Sequence, residues 1–212
     1  MQPTTGRSAN RPTPEKFSTK IFLTAACAGW IDPPHNATCV NPNFQKATPM
    51  HAITVPPMDR TLGALSNILT RAEAHCAAKN IKPEALLNFR LFPDMLPLTK
   101  QIQLACDFAA RCAARLAGES PQGFPDTETT FAELQARIAA ARAYMASFPA
   151  SAYDDAATRA ITFKAGPADI TLTGAAFLIG YATPQLHFHA TTAYNILRHN
   201  GVEIGKRDYM GA

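Results

Sequence analysis

The sequence predicts a mostly α-helical fold, an antiparallel four-helix bundle with a small β-hairpin between its third and fourth helices. Three observations support this prediction. From Met58 onward, apolar residues recur at alternating spacings of three and four, which is the period of one helix face. Glycines and a capping-box motif mark where helical stretches are predicted to end or begin. One short region near residue 165 changes to the two-residue alternation of paired strands. Four amphipathic helices of similar length are typical of a bundle.

The first two long helices are predicted from stripes of apolar residues. The first stripe consists of Met58, Leu62, Leu65, Leu69, Ala72 and Cys76. Residues 83–92 predict a short connecting helix, with Pro83 in the first turn, where its missing N–H has no intrahelical partner to lose. The second stripe consists of Leu98, Ile102, Ala105, Ala109, Cys112 and Leu116. Gly118 directly after it predicts the end of that helix.

The remaining elements follow from a cap, a hairpin and a final apolar region. Thr130 and Glu133 have the spacing of a capping box and predict the start of the third helix. Its stripe is Phe131, Leu134, Ile138, Ala141, Met145 and Phe148. Residues 161–163 and 170–172 alternate as the two strands of a hairpin. After Gly174 a fourth helical region is predicted to reach Asn200, either interrupted or restarted at Pro184; Thr183 and Pro184 fit the cap and first residue of a restarted helix.

The chain is predicted to divide near residue 50. Nine of its 17 prolines lie in the first 60 positions, where helical periodicity is lost. We therefore expect residues 1–49 to be a disordered extension, or upstream sequence translated from a wrongly assigned start, with Met50 as the natural start. The bundle domain is expected over residues 50–212. Residues 20–30 form an apolar run after a basic lead, but the run is short and the lead long, which disfavours a signal peptide.

Charge and cysteine content limit the function classes. The formal net charge is +4, and residues 1–50 contribute +3 of it, so the predicted bundle has no basic stripe for phosphate backbones. We expect no nucleic-acid partner. The run at residues 20–30 is too short for a membrane span. The five cysteines show no CxxC spacing, which indicates a reducing compartment, and we expect a cytoplasmic protein.

The most informative segment is residues 187–201, which places three histidines on a helix-patterned region. On a helix, His187 and His189 point about 200° apart, and His199 lies about 15 Å beyond His189. These three cannot chelate one ion together. His189 shares the apolar face and should point into the bundle. It is either a core histidine hydrogen-bonded to another helix, or a ligand or general base with a pKa near neutrality.

The candidate site is built around His189. Asp107, with Gln103 one turn earlier, is the most plausible polar neighbour on the second helix, although both also fit a solvated polar face. Tyr194 and Arg198 share a helix face with His187, at a pocket rim or at the surface. The candidate catalytic residues are His189, Asp107 and Tyr194. The candidate binding residues are His187, Gln103, Arg198 and His199.

Three motifs resemble a known family. Residues 90–98, 105–109 and 188–208 resemble a branch of the DinB/YfiT-like superfamily that is classed as a domain of unknown function. The resemblance covers about Val55 to Gly211 and implies an antiparallel four-helix bundle, often dimeric, with the hairpin between helices three and four. The wider superfamily typically binds a divalent metal through one histidine of the second helix and two, four apart, on the fourth.

This sequence departs from that metal pattern. His189 matches the first histidine of the pair, but position 193 is Ala, and the second helix has no histidine. We therefore predict no cofactor, with a divalent metal held by His189 as the sole retained ligand as the alternative, and do not transfer the metal chemistry. Two function classes remain. One is a small-molecule transferase or hydrolase that uses a pocket centred on His189. The other is a non-catalytic accessory protein that binds a small ligand or forms a homodimer.

Overall fold

The computed structural model describes residues 49–211. Its four long helices are α1 (Met50–Lys79), α3 (Leu98–Ala117), α4 (Phe131–Ala146) and α6 (Thr183–His199). The shorter helices are α2 (Pro83–Leu87), α5 (Gly174–Phe177) and α7 (Lys206–Met210), and a 3₁₀ turn spans Ala150–Tyr153. The strands are β1 (Ala160–Ala165) and β2 (Ala168–Thr173). The extension, alternative-start and signal-peptide hypotheses concern the N-terminal segment and lie outside the described residues.

The core of the bundle is made by the predicted apolar stripes. All six residues of the α1 stripe and all six of the α3 stripe are buried, and so are the first five of the α4 stripe, while Phe148 packs at its margin. Gly118 ends α3 in the left-handed conformation (φ 86°), as predicted. Thr130 and Glu133 form the predicted capping box, with each side chain bonded to the other's backbone N–H. The fold class is therefore confirmed.

The long helices α1 and α6 run in one direction, and α3 and α4 run in the opposite direction. The Ser66–Gln135 hydrogen bond and the Asp59–Arg142 ion pair place α1 and α4 antiparallel. The Gln101–His189 hydrogen bond and the Phe108–Tyr181 ring contact show that α3 and the helical region leading into α6 are antiparallel as well. Tyr153 links the start of α1 to the end of α3, because its ring contacts His51 and its hydroxyl bonds the Ala113 carbonyl. Residues 118–130 therefore cross the bundle to join the parallel helices α3 and α4.

The hairpin is confirmed and packs one face on the bundle. Its register pairs Ile161 with Leu172 and Phe163 with Ile170. Ile161 and Phe163 are buried, while β2 is largely exposed. The Phe163 ring lies 4.3 Å from the ring of Tyr181 in the following helical region. The hairpin thus packs one aromatic ring, that of Phe163, against Phe177 and Tyr181 of the following helical region.

The start of α1 differs from the prediction. The apolar stripe indicated a helix from Met58, but the helix begins at Met50 and contains Pro56 and Pro57. Proline removes a backbone hydrogen bond and crowds the preceding turn, so proline-rich sequence is normally a poor predictor of helix. Here Met50 and Val55 are buried on the bundle, and this tertiary packing outweighs the local cost.

The helical region after Gly174 does not restart at Thr183. Backbone dihedrals at Ala182 and Thr183 are already helical, and residues Leu178–Ala182 form a π-turn that continues into α6. The region is capped instead at its beginning, where the Thr173 hydroxyl accepts from the Ala176 N–H. Pro184 cannot donate to the carbonyl four residues earlier, and a π-turn is a known way to accommodate such a break.

The C-terminal segment folds back on α1. Asp208 in α7 pairs with Arg71 at 3.1 Å, and the same arginine donates to the Glu203 carbonyl.

Cys76, Cys106 and Cys112 are buried, unpaired thiols, as expected of cysteines that act as small apolar residues. None of the helices in the described part of the chain is both long and apolar enough to cross a bilayer.

Candidate functional site

His189 lies between α6 and α3, at the centre of the candidate site. The residue is 7% exposed, and its Nδ1 lies 2.8 Å from Oε1 of Gln101 on α3. Gln101 in turn donates through Nε2 to the Leu96 carbonyl at 3.0 Å. The sequence prediction that His189 points into the bundle is confirmed, and the helix that it contacts is the expected one.

This chain of hydrogen bonds determines which histidine nitrogen carries the proton. Because Gln101 Nε2 donates to a carbonyl, Gln101 Oε1 faces His189 and can only accept. His189 Nδ1 must therefore be the donor, and Nε2 carries the lone pair. Within residues 49–211, Nε2 has no hydrogen-bond partner, and unlike Arg137 Nε it is not fully buried. It is therefore a basic nitrogen that retains some access to solvent.

Aromatic rings hold the His189 imidazole on two sides. Phe108 of α3 stacks on it at 5.5 Å with the ring planes 10° apart, and Phe188 meets it edge-on at 5.2 Å. Burial in these surroundings lowers the pKa of His189 below the 6.5 of an ordinary histidine. Since the charged form is disfavoured, the ring is neutral at pH 7 and Nε2 remains an acceptor.

An open cavity of about 390 Å³ lies close to this group, although His189 itself does not line it. It is lined by Tyr181 and Phe188, together with residues of the π-turn and the first turn of α6. Tyr181 also contacts Phe108, the ring that stacks on His189. The rings around the histidine therefore extend into a mostly apolar depression on the surface.

Asp107 and Gln103 do not join His189. Both Asp107 oxygens are bonded to arginines, Oδ1 to Arg137 at 2.5 Å and Oδ2 to Arg111 at 2.7 Å. Gln103 donates to Glu128 at 2.8 Å. These two residues share the face of α3 that packs on α4 and the 118–130 crossover, whereas Gln101 and Phe108 share the face toward α6. The expected neighbour of His189 on α3 is thus replaced by Gln101.

The remaining candidates on α6 lie on its other faces. His187 is exposed and bonds the Tyr209 hydroxyl at 3.2 Å, and Tyr194 packs edge-on against the same tyrosine. Arg198 is exposed, and His199 lies against Phe89 at 5.8 Å. His189, Asp107 and Tyr194 therefore have separate sets of partners, and no hydrogen bond connects them in the described residues.

Sequence reasoning missed the two residues that define the His189 environment, Gln101 and Phe108. A signal was available, because they are seven apart on α3 and so lie on one face with the buried Ala105. What the sequence lacked was the rotation of α3 relative to α6. The preference for charged partners favoured Asp107, whose charge is instead neutralised by arginines.

The side chains around His189 do not fit the three-histidine metal site implied by the family resemblance. Its hydrogen-bonding neighbour is an amide, and the buried residue one turn later is Ala193. Nowhere in residues 49–211 do three histidine, cysteine or carboxylate side chains come together as metal ligands would. We therefore derive no chemical step through a metal.

The fold is that of a DinB-like four-helix bundle. A crystal structure of a DinB family member protein from Shewanella denitrificans is similar, with 42% sequence identity, a TM-score of 0.71, and coverage of 76% of this chain and 92% of that one. Residues 50–210 match the family described as a domain of unknown function (DUF1993), and the chain belongs to that family. A comparison with curated proteins finds no match.

Proposed function

We propose that this protein binds a small molecule at His189 without a metal, and that Nε2 accepts a hydrogen bond or a proton from it. The observation that supports the proposal is the chain of bonds from His189 Nδ1 through Gln101 to the Leu96 carbonyl. This arrangement fixes both the tautomer and the ring orientation, as hydrogen-bonded neighbours do at functional histidines.

The surroundings indicate the chemistry of the ligand. Phe108, Phe188 and Tyr181 provide aromatic surface, and the neutral imidazole provides an acceptor. A matching ligand has an apolar ring or chain and one hydroxyl, thiol or N–H donor. Toward a hydroxyl or thiol the same nitrogen is suited to act as a general base, the step that a transferase or hydrolase would need. The proposal omits Asp107 and Tyr194, because their partners lie elsewhere.

The proposal predicts that the protein discriminates phenol from anisole. Phenol carries the hydroxyl donor, while anisole has a similar ring without it. We expect phenol to shift the amide signals around residues 101–108 and 185–190 in an NMR titration. Anisole should bind at least about tenfold more weakly, because a hydrogen bond to a desolvated acceptor contributes about 1.5 kcal/mol.

The control variants are His189→Phe and His187→Phe. The first retains an aromatic ring against Phe108 and removes Nε2, so it should abolish the preference for phenol. The second removes an exposed imidazole two residues away and should leave the preference unchanged. Equal binding of phenol and anisole by the unaltered protein, or an unchanged preference in His189→Phe, would refute the role of Nε2.

We also propose that the protein forms a homodimer, and exposed apolar side chains after the hairpin support this. Ile179 is 70% exposed and Phe188 56% exposed, although large apolar side chains are normally withdrawn from water. Both lie in the helical region that borders the open cavity. The resemblance to a superfamily with dimeric members agrees with this proposal.

Self-association predicts a concentration-dependent mass in sedimentation equilibrium. We expect Ile179→Asp to weaken dimerisation at least about tenfold, because a buried carboxylate in an apolar contact is costly. Met210→Asp is the matched control, since Met210 is also an exposed apolar residue but lies on α7. A monomer at all concentrations, or an equal effect of the two variants, would contradict the proposed interface.

We further propose that the protein is cytoplasmic. The support is the state of three buried cysteines, Cys76, Cys106 and Cys112, which carry free thiols. Burial raises the pKa of Cys106 to about 12, so its reactive thiolate form is suppressed at neutral pH. Free thiols in the core are typical of proteins from reducing compartments.

A further inference from the structure

Arg115 is an unusual side chain near the end of α3. It is half-buried, and its guanidinium carbon lies 5.9 Å from the ring centre of Phe163 and 5.8 Å from that of Phe177. Arginine stacks on aromatic rings, but rings carry no net charge to neutralise it. Within residues 49–211, Arg115 forms no ion pair and no side-chain hydrogen bond, unlike the buried Arg137.

The charge of Arg115 is not compensated by nearby groups. Burial lowers its pKa, and the positive charge of Arg111 lowers it further, opposed only by the weakly acidic Tyr181 and Cys112. No carboxylate acts on it in the described part of the chain. A partly desolvated charge without a counter-charge is unfavourable, and a bound anion would relieve that cost.

Arg115 lines a polar cavity of about 330 Å³ between the end of α3 and the first residues of β1. A second guanidinium, that of Arg159, lines the same cavity, and so do Ser120 and Thr162. Glu119 is the single carboxylate in the lining, and it forms no ion pair with either arginine. Two cationic groups and two hydroxyl-bearing residues thus surround a space of ligand size.

Arg159 is held in place by the backbone. Its guanidinium donates to the Leu116 carbonyl and, at 3.3 Å, to the Ala152 carbonyl. These bonds also offset the partial negative charge at the C-terminal end of α3, which would otherwise repel an anion. Gly118 permits the approach, because a Cβ atom there would lie 3.3 Å from the Arg159 guanidinium carbon.

We propose that Arg115 and Arg159 form a binding site for an oxyanion, the phosphate or carboxylate group of a small ligand. Arg159 is the fixed element, and Arg115 supplies the charge that lacks a partner. This site is separate from the His189 site: it lies near the end of α3 and uses a different cavity.

The test is an NMR titration of the full chain with inorganic phosphate at constant ionic strength, with sodium acetate as a second arm. We expect phosphate to shift the amides of residues 118–120 and 160–162 in a saturable way. Acetate that shifts the same amides more strongly would instead assign a carboxylate ligand. Arg115→Gln should weaken the binding at least about tenfold, because it removes the charge-assisted hydrogen bonds.

Lys164→Gln is the matched control, since it removes one positive charge from an exposed position on β1, the strand whose first residues line the cavity. It should bind like the unaltered protein. Equal loss in both variants would show non-specific charge attraction and overturn the proposal. If Arg115→Gln does not fold, the unaltered protein decides: shifts confined to residues 118–120 and 160–162 support the site, and their absence there refutes it.

Discussion

Replacing Arg137 with alanine should lower the free energy of unfolding by about 3–5 kcal/mol, the cost of leaving buried carboxylates without their counter-charge. The Arg137 side chain is 2% exposed and pairs with Asp107 at 2.5 Å and Glu128 at 2.9 Å. It also donates to the Pro125 carbonyl at 2.9 Å. One guanidinium therefore fastens the 118–130 crossover to both α3 and α4.

The pKa of the neighbouring Asp126 carboxyl supports this expectation. Burial alone would raise the pKa of Asp126, but its bond to Lys100 and the charges of Lys100 and Arg137 hold that pKa below its usual range. A depressed carboxyl pKa means that the native state favours the ionised form. The corresponding stability is present above the unfolded pKa and is lost as the pH falls through the folded pKa. Asp126 is partly exposed, so solvent screening limits its own share.

Arg142→Ala is the matched control for Arg137→Ala. Both arginines lie on α4, but Arg142 is 42% exposed and pairs with a partly exposed Asp59. Its loss should cost less than about 1 kcal/mol. Urea unfolding measures both changes, and hydrogen exchange should become faster at residues 119–129 in Arg137→Ala alone. A cost for Arg137→Ala no larger than that for Arg142→Ala would show that the crossover is held by other contacts.

The elements that could be predicted from the sequence are those specified by local patterns. Apart from Phe148, the stripe residues of α1, α3 and α4 are 0–3% exposed, because a long periodic pattern leaves only one face that can be buried. The capping box at Thr130 and the left-handed Gly118 are equally local, since each needs only a few consecutive residues.

Prediction failed where distant packing outweighed a local rule. The two prolines of α1 and the proline of α6 both indicated helix boundaries, and both lie within helical backbone. Burial of Met50 and Val55 against other helices compensates the first, and the π-turn accommodates the second. Neither compensation is visible in the residues next to the proline.

The candidate site was predicted only in part for a similar reason. The inward orientation of His189 follows from its place on the apolar face of α6, because helix periodicity is local. Its partners depend on how α3 is rotated about its own axis, which decides between the Gln101 face and the Asp107 face. The role of Asp107 as an acceptor for Arg137 and Arg111 required knowledge of the crossover path.

Gly174 marks the junction between the hairpin and the helical region that carries His189. Its N–H donates to the Arg159 carbonyl at 2.9 Å, and the next N–H donates to Ala157 at 3.0 Å. These bonds draw the backbone of residues 156–159 against α5. A Cβ atom at position 174 would lie 1.8 Å from the Ala156 carbonyl oxygen and 2.9 Å from a Leu116 methyl carbon.

Gly174→Ala should therefore destabilise the protein by about 3 kcal/mol, the upper end of the usual cost of overpacking, because the clash is with backbone that cannot rotate away. Gly180→Ala is the matched control: apart from its chain neighbours and its own helical backbone, no described atom lies within 4 Å of the added Cβ, so the free energy of unfolding should change by less than about 1 kcal/mol. Urea unfolding of both variants measures the difference. If the two glycines tolerate alanine equally, the close contact at Ala156 does not hold the hairpin in place. If only Gly174→Ala is destabilised, the close approach of residues 156–159 to α5 is a contact that holds the hairpin junction in place.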